Sequence, residues 1–563
     1  MTARPMRTSP GLDANLAGAI NANGSVDIDA VNNVAIDAAV TATTGDITVD
    51  AAEGNVANAA AGTLTATAGA ITVNAAGDAT FKGNVTANQA IAVTAATGDI
   101  TFDAMRAYSE ASTVTVTAAT GDVAQKNAAD IVADSNATIT ATRGNVIVDK
   151  VYAGYDVNSS SAVVKNTNAA TAAISASAGL IKRNRTDAVA DIFADTVTLT
   201  AGKGIGTIGA NDGDTVKYLG IANATNVTAS TTDDTGSIYL NIGKDNGVAP
   251  TIDRLNTTMT VSAAGQAADV VVLAPALTSY VDTLTIANIT ATSGNVAVYA
   301  ANSDVDIQAI ATTKDVDVTA NRLRDANEDV AVVQSIKGDN VTLAAWSDGA
   351  KIGLIQSTGD TKVFAEGGPI TGNGGVSIAA KGSIMLVSSD KIGDVDQKNP
   401  MTVEASGKVS VGAFGKFSTK TSIWTLASGK SGDGGIHYAG TWADDHAVPN
   451  RTGKFAQTGS AQDAPPGLIV WNSMYYGGAE TEVENASKVG NETSNAIQNT
   501  IASITETSWL SSRQINSSAS VLVDTPYGGH LNEYMYDNSG VLKLQGIDET
   551  IDLETLEDSL TWN

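Results

Sequence analysis

Aspartates stand two positions apart at several places in this sequence, among them Asp27/Asp29, Asp304/Asp306 and Asp315/Asp317. On a strand, residues i and i+2 share a face, so each pair would present two carboxylates side by side. Paired carboxylates can do acid–base chemistry on a glycan, and stacked ones can bridge calcium. The plainer reading is that they are solvated outward positions of alternating strands. The loop GKSGDGG (429–435) resembles a calcium-binding turn but occurs once, where a binding array would repeat. No cofactor is therefore expected, calcium being the one ion the residues could take. His437, His446 and His530 are the only histidines and are too scattered for a metal centre. Asp444-Asp445-His446 reads as a loop, and GKGIGTIG (202–209) lacks the Lys-Ser/Thr ending of a phosphate loop. With no Cys, thiol catalysis, disulfides and Cys-ligated zinc are excluded. The chain is expected not to be an enzyme.

The elements that would carry these residues are strands. One phrase recurs, a small or polar residue, Gly, Asn or Asp, then an alternating β-branched run: TGDITVDA from Thr44, AGAITVNA from Ala68, TGDITFDA from Thr97, TGDVAQKN from Thr120 and RGNVIVDK from Arg143. Their glycines, Gly45, Gly69, Gly98, Gly121 and Gly144, are separated by 24, 29, 23 and 23 positions. Between them lie further strand phrases, LTATA from Leu64, IAVTA from Ile91, VTVTA from Val114 and ATITA from Ala137. Alternation puts Ile47 and Val49 on one face and Thr48 and Asp50 on the other. The Gly-Asp pairs read as turns that tolerate positive φ. At least two short strands per ~23-residue repeat predict an all-β chain, a parallel β-helix (β-solenoid) with a narrow interior of Ala, Val and Ile. An antiparallel sandwich gives no reason for such a repeat. Outward threonines such as Thr65/Thr67 and Thr115/Thr117 suggest ice binding, but the outward positions mix Thr with Asp and Asn, which argues against a regular array.

Sixty Asp+Glu against 33 Lys+Arg leave a net charge of −27, which repels nucleic acid. No run of apolar residues is long enough for a membrane-spanning helix, and Met1–Ile20 lacks the apolar core of a secretion signal. The Cys-free composition favours a secreted, cell-surface protein whose leader was removed.

The pattern divides the chain into an N-terminal extension (1–19), a repetitive β-solenoid (20–465) and a C-terminal cap or assembly region (466–563). All six tryptophans lie at Trp346 or beyond. After Pro465-Pro466 comes an apolar strand phrase with Leu468, Ile469, Val470 and Trp471, then Tyr475 and Tyr476. Spaced apolar residues over 479–510, a stretch that includes Trp509, predict a helix. These aromatics suit either a buried cap or a subunit contact.

The runs TATTGDITVDAAEGNV (from Thr41), TAATGDITFDA (from Thr94), GLIKRNRTDAVADIFADTVTLTAGKGIGTIG (179–209) and KIGDVDQKNPMTVEASGKVSV (391–411) resemble large secreted bacterial exoproteins of the filamentous-haemagglutinin-like and autotransporter-passenger type. The resemblance implies an exported right-handed β-helix with a role in surface attachment or assembly, and supplies no catalytic residue. The expected function is a non-catalytic filament or adhesin subunit that assembles head to tail through its termini. Its partners would be other copies and a host, neighbouring-cell or glycan surface. A β-helical polysaccharide lyase or hydrolase and a monomeric ligand-binding rod are the alternatives.

Overall fold

The computed structural model describes residues 12–388 apart from 158–161, 168, 185–189, 209–215, 244–254, 275–280, 324–332, 346–348, 366–368, 373–375 and 383. It also describes eight strands outside that span: Met6–Arg7, Met401–Ala405, Val409–Ala413, Thr425–Gly429, Ile436–Gly440, Ile469–Asn472, Glu533–Tyr536 and Leu542–Gln545. Among the described residues every regular element is a strand, and the fold is a parallel β-solenoid. The helix expected over 479–510 lies outside the described residues. The chain divides into two compact units, the first Met1–Ala210 with Val216–Thr251 and Val261–Ala268, the second Asn211–Thr215 with Ile252–Thr260 and Asp269–Asn563.

In the first unit each turn of the coil passes through three sheet positions, one more than the minimum the repeat requires, with one long strand filling the second and third in some turns, as Ile100–Ala107 does. Val26–Ala30, Val34–Ile36 and Val40–Ala42 form one turn; Ile47–Ala51, Val56–Asn58 and Leu64–Ala66 stack on it in register. Three parallel sheets result. Sheet 1 continues through Ile71–Ala75, Ile91–Ala95, Val114–Ala118, Ala137–Ala141, Thr171–Ala176, Thr196–Ala201 and Asn226–Thr231. Strand pairing already begins at Met6, opposite Val26, so residues assigned to an N-terminal extension belong to the coil. The pattern hid this because Met6-Arg7, Ala14–Leu16 and Ile20–Ala22 lack the β-branched alternation of later rungs.

Alternation sets the core. In sheet 1, Val26/Ile28, Ile47/Val49, Ile71/Val73, Ile91/Val93 and Val114/Val116 point inward and are at most 1% exposed, while the residues between them face out. Each inward residue sits on its equivalent one rung below, so aliphatic columns fill a narrow interior. Phe81 stacks on Phe102 in sheet 2, fully buried. The polar residues that continue this column, Asn58 and Gln125, are satisfied by backbone. Asn58 donates to the Gly83 carbonyl at 3.2 Å and accepts from its N–H at 3.0 Å; Gln125 donates to Lys150 O at 2.7 Å and accepts from Asp149 N at 2.9 Å.

Sheet register corrects the repeat. Ile47 of TGDITVDA pairs with Ile71 in sheet 1, but Ile100 of the near-identical TGDITFDA pairs with Ala79 and Val123 in sheet 2. The same phrase builds two different corners, and the odd 29-residue spacing between Gly69 and Gly98 marks the change from one to the other. The glycine chemistry is corrected as well. Among the described glycines only Gly154, Gly204, Gly206 and Gly349 have positive φ. Gly121 is required by proximity: a Cβ there would lie deep inside contact distance of the Gly98 carbonyl oxygen, and one on Gly144 would meet the Gly121 oxygen in the same way.

In the second unit Val296–Ile307, Val316–Arg322, Val341–Ala345, Thr361–Ala365 and Ile384–Ser388 stack in one parallel ladder that continues through Val409–Ala413 and Ile436–Gly440. Ile469–Asn472 adds to Ile436–Gly440, with Tyr438 opposite Val470 and Ala439 opposite Trp471.

Crowding at the corner predicts that Gly121→Ala lowers unfolding stability by about 1–3 kcal/mol, as overpacking against a rigid backbone does. Gly18→Ala, whose Cβ would meet nothing within 4 Å, should stay within about 0.5 kcal/mol of the parent in the same urea titration.

Candidate functional site: the Asx corner and the docked hairpin

The aspartates of the later Gly-Asp phrases, Asp99 and Asp122, lie at the corner between sheets 1 and 2, and their side chains join the rungs; Asp46 lies at the corner that leads into sheet 1, where it accepts the Ala70 N–H at 2.8 Å. Asp13 Oδ1 accepts the Asn33 N–H at 3.0 Å, Asn33 Oδ1 that of Asn55 at 3.0 Å, and Asn55 Oδ1 that of Asp78 at 2.6 Å. The column continues from Asp78 to Asp99 at 2.8 Å, Asp99 to Asp122 at 2.7 Å, Asp122 to Asn145 at 2.6 Å and Asn145 to Leu180 at 2.9 Å. Each side-chain oxygen takes an N–H that the tight corner would otherwise leave without a backbone acceptor. The second unit has its own column: Asp269 accepts from Asn295 at 2.8 Å, Asn295 from Asp315 at 3.3 Å, Asp315 from Asn340 at 3.2 Å and Asn340 from Asp360 at 2.9 Å. Here Asp and Asn alternate, and Asn340 Nδ2 also donates to Asp315 Oδ1 at 2.9 Å. Like charges therefore never stand on adjacent rungs. The first column lacks this device at Asp78, Asp99 and Asp122, three carboxylates in succession.

Of the aspartate pairs, Asp27 and Asp29 take the outward positions of Val26–Ala30. Asp315 and Asp317 do not act as a pair: Asp315 is the corner acceptor and Asp317 lies on the strand that follows. Asp304 is buried at 7% exposure, opposite Thr283. Among the described residues no group of three or more His, Cys, Asp or Glu is arranged to hold a metal ion. Gly204–Ile205, within GKGIGTIG, is a rung of sheet 2.

One place breaks the repeat with a built cluster. Ala137 to Ala172, partners on adjacent rungs, takes 172 − 137 = 35 residues, because a hairpin is inserted. Tyr155–Val157 pairs antiparallel with Val163–Lys165, entered through Gly154 at φ 80°. Tyr155 is buried with Val132, Phe193 and Ala222, and its hydroxyl accepts from Asn223 Nδ2 at 2.8 Å. Tyr152 stacks on Phe193 at 4.5 Å between centroids and meets Tyr155 edge-on at 5.3 Å. Lys165 forms an ion pair with Asp195. Beneath the hairpin, buried Asp134 accepts the Ala111 N–H and Asn166 Nδ2, each at 2.8 Å. Burial, then a carboxyl–carboxyl hydrogen bond to Asp134 and its charge, raise the Asp156 pKa; Asn166 works against the rise. Burial likewise raises Asp269, against its hydrogen bonds with Asn295. One rung before Val132 on the same column of sheet 3, Arg106 holds Asp130 bidentately at 3.0 and 2.7 Å, joining two rungs.

Of the C-terminal contact residues, Ile469, Val470 and Trp471 fall on Ile469–Asn472, whose backbone joins the ladder of its own chain. Leu468, Tyr475, Tyr476 and Trp509 lie outside the described residues. Sequence reasoning missed the hairpin cluster. Its signal was the aromatic pair Tyr152/Tyr155 followed by a long gap before the next strand phrase.

Two substitution sets follow. Asp99→Ala removes the acceptor of the Asp122 N–H and should reduce stability by about 1 kcal/mol. Asp99→Asn keeps that acceptor and relieves the charge stack, so urea unfolding should show it at least as stable as the parent. Asp156 and Asp269 are raised in the folded state, so their stabilisation is complete below the ordinary carboxylate value and lost as pH rises through the folded value. Asp156→Asn and Asp269→Asn should therefore raise the melting temperature at pH 7 and flatten its fall between acidic and neutral pH.

The chain matches no protein-family model, no curated protein and no solved structure.

Proposed function

We propose that the chain is a non-catalytic, extracellular structural protein, a filament or adhesin subunit at a cell surface that assembles head to tail through its termini. The observation that carries the reading is the use made of its repeated aspartates. The aspartates of the Gly-Asp phrases accept backbone N–H groups of the next rung and so hold the coil together. Inward positions of sheet 1 are aliphatic, which suits a scaffold that presents a surface over many rungs. The resemblance to filamentous-haemagglutinin-like and autotransporter-passenger exoproteins supports export and surface attachment. For assembly, parallel stacking lets a further strand extend an open rung. Ile469–Asn472, which adds in parallel to Ile436–Gly440, has the backbone form for that role, and head-to-tail repetition along one axis gives open filaments.

A monomeric ligand-binding rod is the second reading, favoured by the Tyr152–Tyr155–Phe193 cluster beside the inserted hairpin. Electron microscopy of purified full-length protein separates the two: fibres are expected, and short isolated particles at all concentrations would contradict the filament reading. Deleting residues 467–563 should abolish the fibres; fibres that persist unchanged would refute docking through that segment. Incubation with polyuronates, with and without calcium, should release no oligosaccharide, and release abolished by a single Asp or Arg substitution would establish an enzyme instead.

A further inference from the structure

The outer face of sheet 1 changes character along the first unit. Its two outward columns begin with Asp27/Asp29, Thr48/Asp50 and Thr72/Asn74. The six rungs that follow carry Ala92/Thr94, Thr115/Thr117, Thr138/Thr140, Ala173/Ser175, Thr198/Thr200 and Thr228/Ser230, in unbroken register. None of these strand positions holds a charge, in a chain of net charge −27. Sheet 3, by contrast, presents Arg106 with Asp130, and the sheet 2 strands carry Lys126 paired with Asp103 at 3.2 Å. Insertions respect the same face. The hairpin after Gly154 leaves from the end of sheet 3, and the antiparallel pair Thr207–Ile208 with Val216–Lys217 leaves from the end of sheet 2. The sequence suggested that Asp and Asn interrupt the threonine rows throughout; in these two columns register confines them to the first three rungs, and Asn226 stands outside the columns at the start of the sixth.

We propose that this uncharged face, between Ile91 and Thr231, pairs with the same face of a second copy of the chain. The argument is electrostatic and steric. Two strongly acidic molecules repel wherever carboxylates face each other, and a sheet face without charges is where copies can approach. Thr, Ser and Ala keep the two sheets close, and because both partners share the ~4.8 Å rung spacing, their rows interleave along the whole contact. The acidic first rungs fix the direction: a parallel pairing would set Asp27, Asp29 and Asp50 against their own copies, whereas an antiparallel two-fold separates them. Six rungs of five-residue strands cover roughly 500 Å² per copy, at the lower limit for specific association, so the dimer is weak and reversible. With no ion pairs across it and like charge around it, the dimer strengthens as salt rises. Contact through this face is independent of head-to-tail docking, which involves other residues.

The absence of cysteine allows a direct test on the full-length protein. Ala173 lies at the centre of the six rungs, near the two-fold, and Thr86 lies on sheet 3. Under mild oxidation Ala173→Cys should form a disulfide-linked dimer, faster at high salt than at low salt, and Thr86→Cys should not. Adding Thr138→Lys and Thr198→Lys to the Ala173→Cys chain should suppress the cross-link while circular dichroism stays unchanged. Equal cross-linking at 173 and 86, no cross-link at 173 at any salt, or cross-linking undiminished by the lysines would each overturn the pairing. So would a parent protein that stays monomeric by sedimentation yet binds ice or a neutral glycan through this face. Head-to-tail fibres without a cross-link at 173 would leave assembly through the termini standing and remove this face from it.

Discussion

Two backbone segments stacked at the ~4.8 Å spacing of a parallel sheet leave no room for a side chain where the chain turns sharply. That constraint governs the corner between sheets 1 and 2. Glycine is needed on one side of the turn because the carbonyl of the glycine below occupies the space of a Cβ, as between Gly98, Gly121 and Gly144. The next residue must accept the N–H of the rung above, since the turn removes its strand partner, and the short side chains of Asp and Asn reach it. Once the corner is fixed, the period-2 alternation of the following strand decides which residues enter the core. The insertions leave from the ends of sheets 2 and 3, which carry the local variety of the coil.

Charge is the second consequence. A corner acceptor repeated at every rung recruits aspartate, and stacked aspartates repel. The second unit answers this by alternation, Asp269, Asn295, Asp315, Asn340, Asp360, with amide groups donating to the carboxylates below. The first unit tolerates Asp78, Asp99 and Asp122 in succession at exposed or half-exposed positions, where water screens them. Of the aspartates whose spacing suggested paired carboxylates, Asp315 is a corner acceptor. The aspartates shifted toward the neutral form, Asp156 and Asp269, are partly or wholly withdrawn from water.

Much of the coil was legible because its grammar is local. Inward Ile47/Val49 and Val114/Val116 follow from alternation alone, and a ~23-residue period requires a solenoid. Which rung stacks on which was not legible, because both corners use the same Gly-Asp phrase: TGDITVDA and TGDITFDA look equivalent and lie in different sheets. The reason for glycine was misread for a related cause, since proximity to another rung leaves no mark on a single rung's sequence. Beyond the Tyr152/Tyr155 pair and the gap that follows it, the hairpin cluster was not legible, because Asp134, Tyr155, Asn166, Phe193 and Asn223 converge from several turns. The C-terminal contact residues were chosen by composition, which does not specify a partner.

The central claim is that the Asx column joins the rungs of the coil. Hydrogen exchange of the backbone amides of Asn55, Asp78, Asp99, Asp122 and Asn145 tests it most directly, because each is a turn amide whose acceptor is a side chain one rung below. The account predicts that they exchange as slowly as the neighbouring core strand amides of Val56, Ile100 and Val123. Exchange at the rate of solvent-exposed loop amides would contradict it.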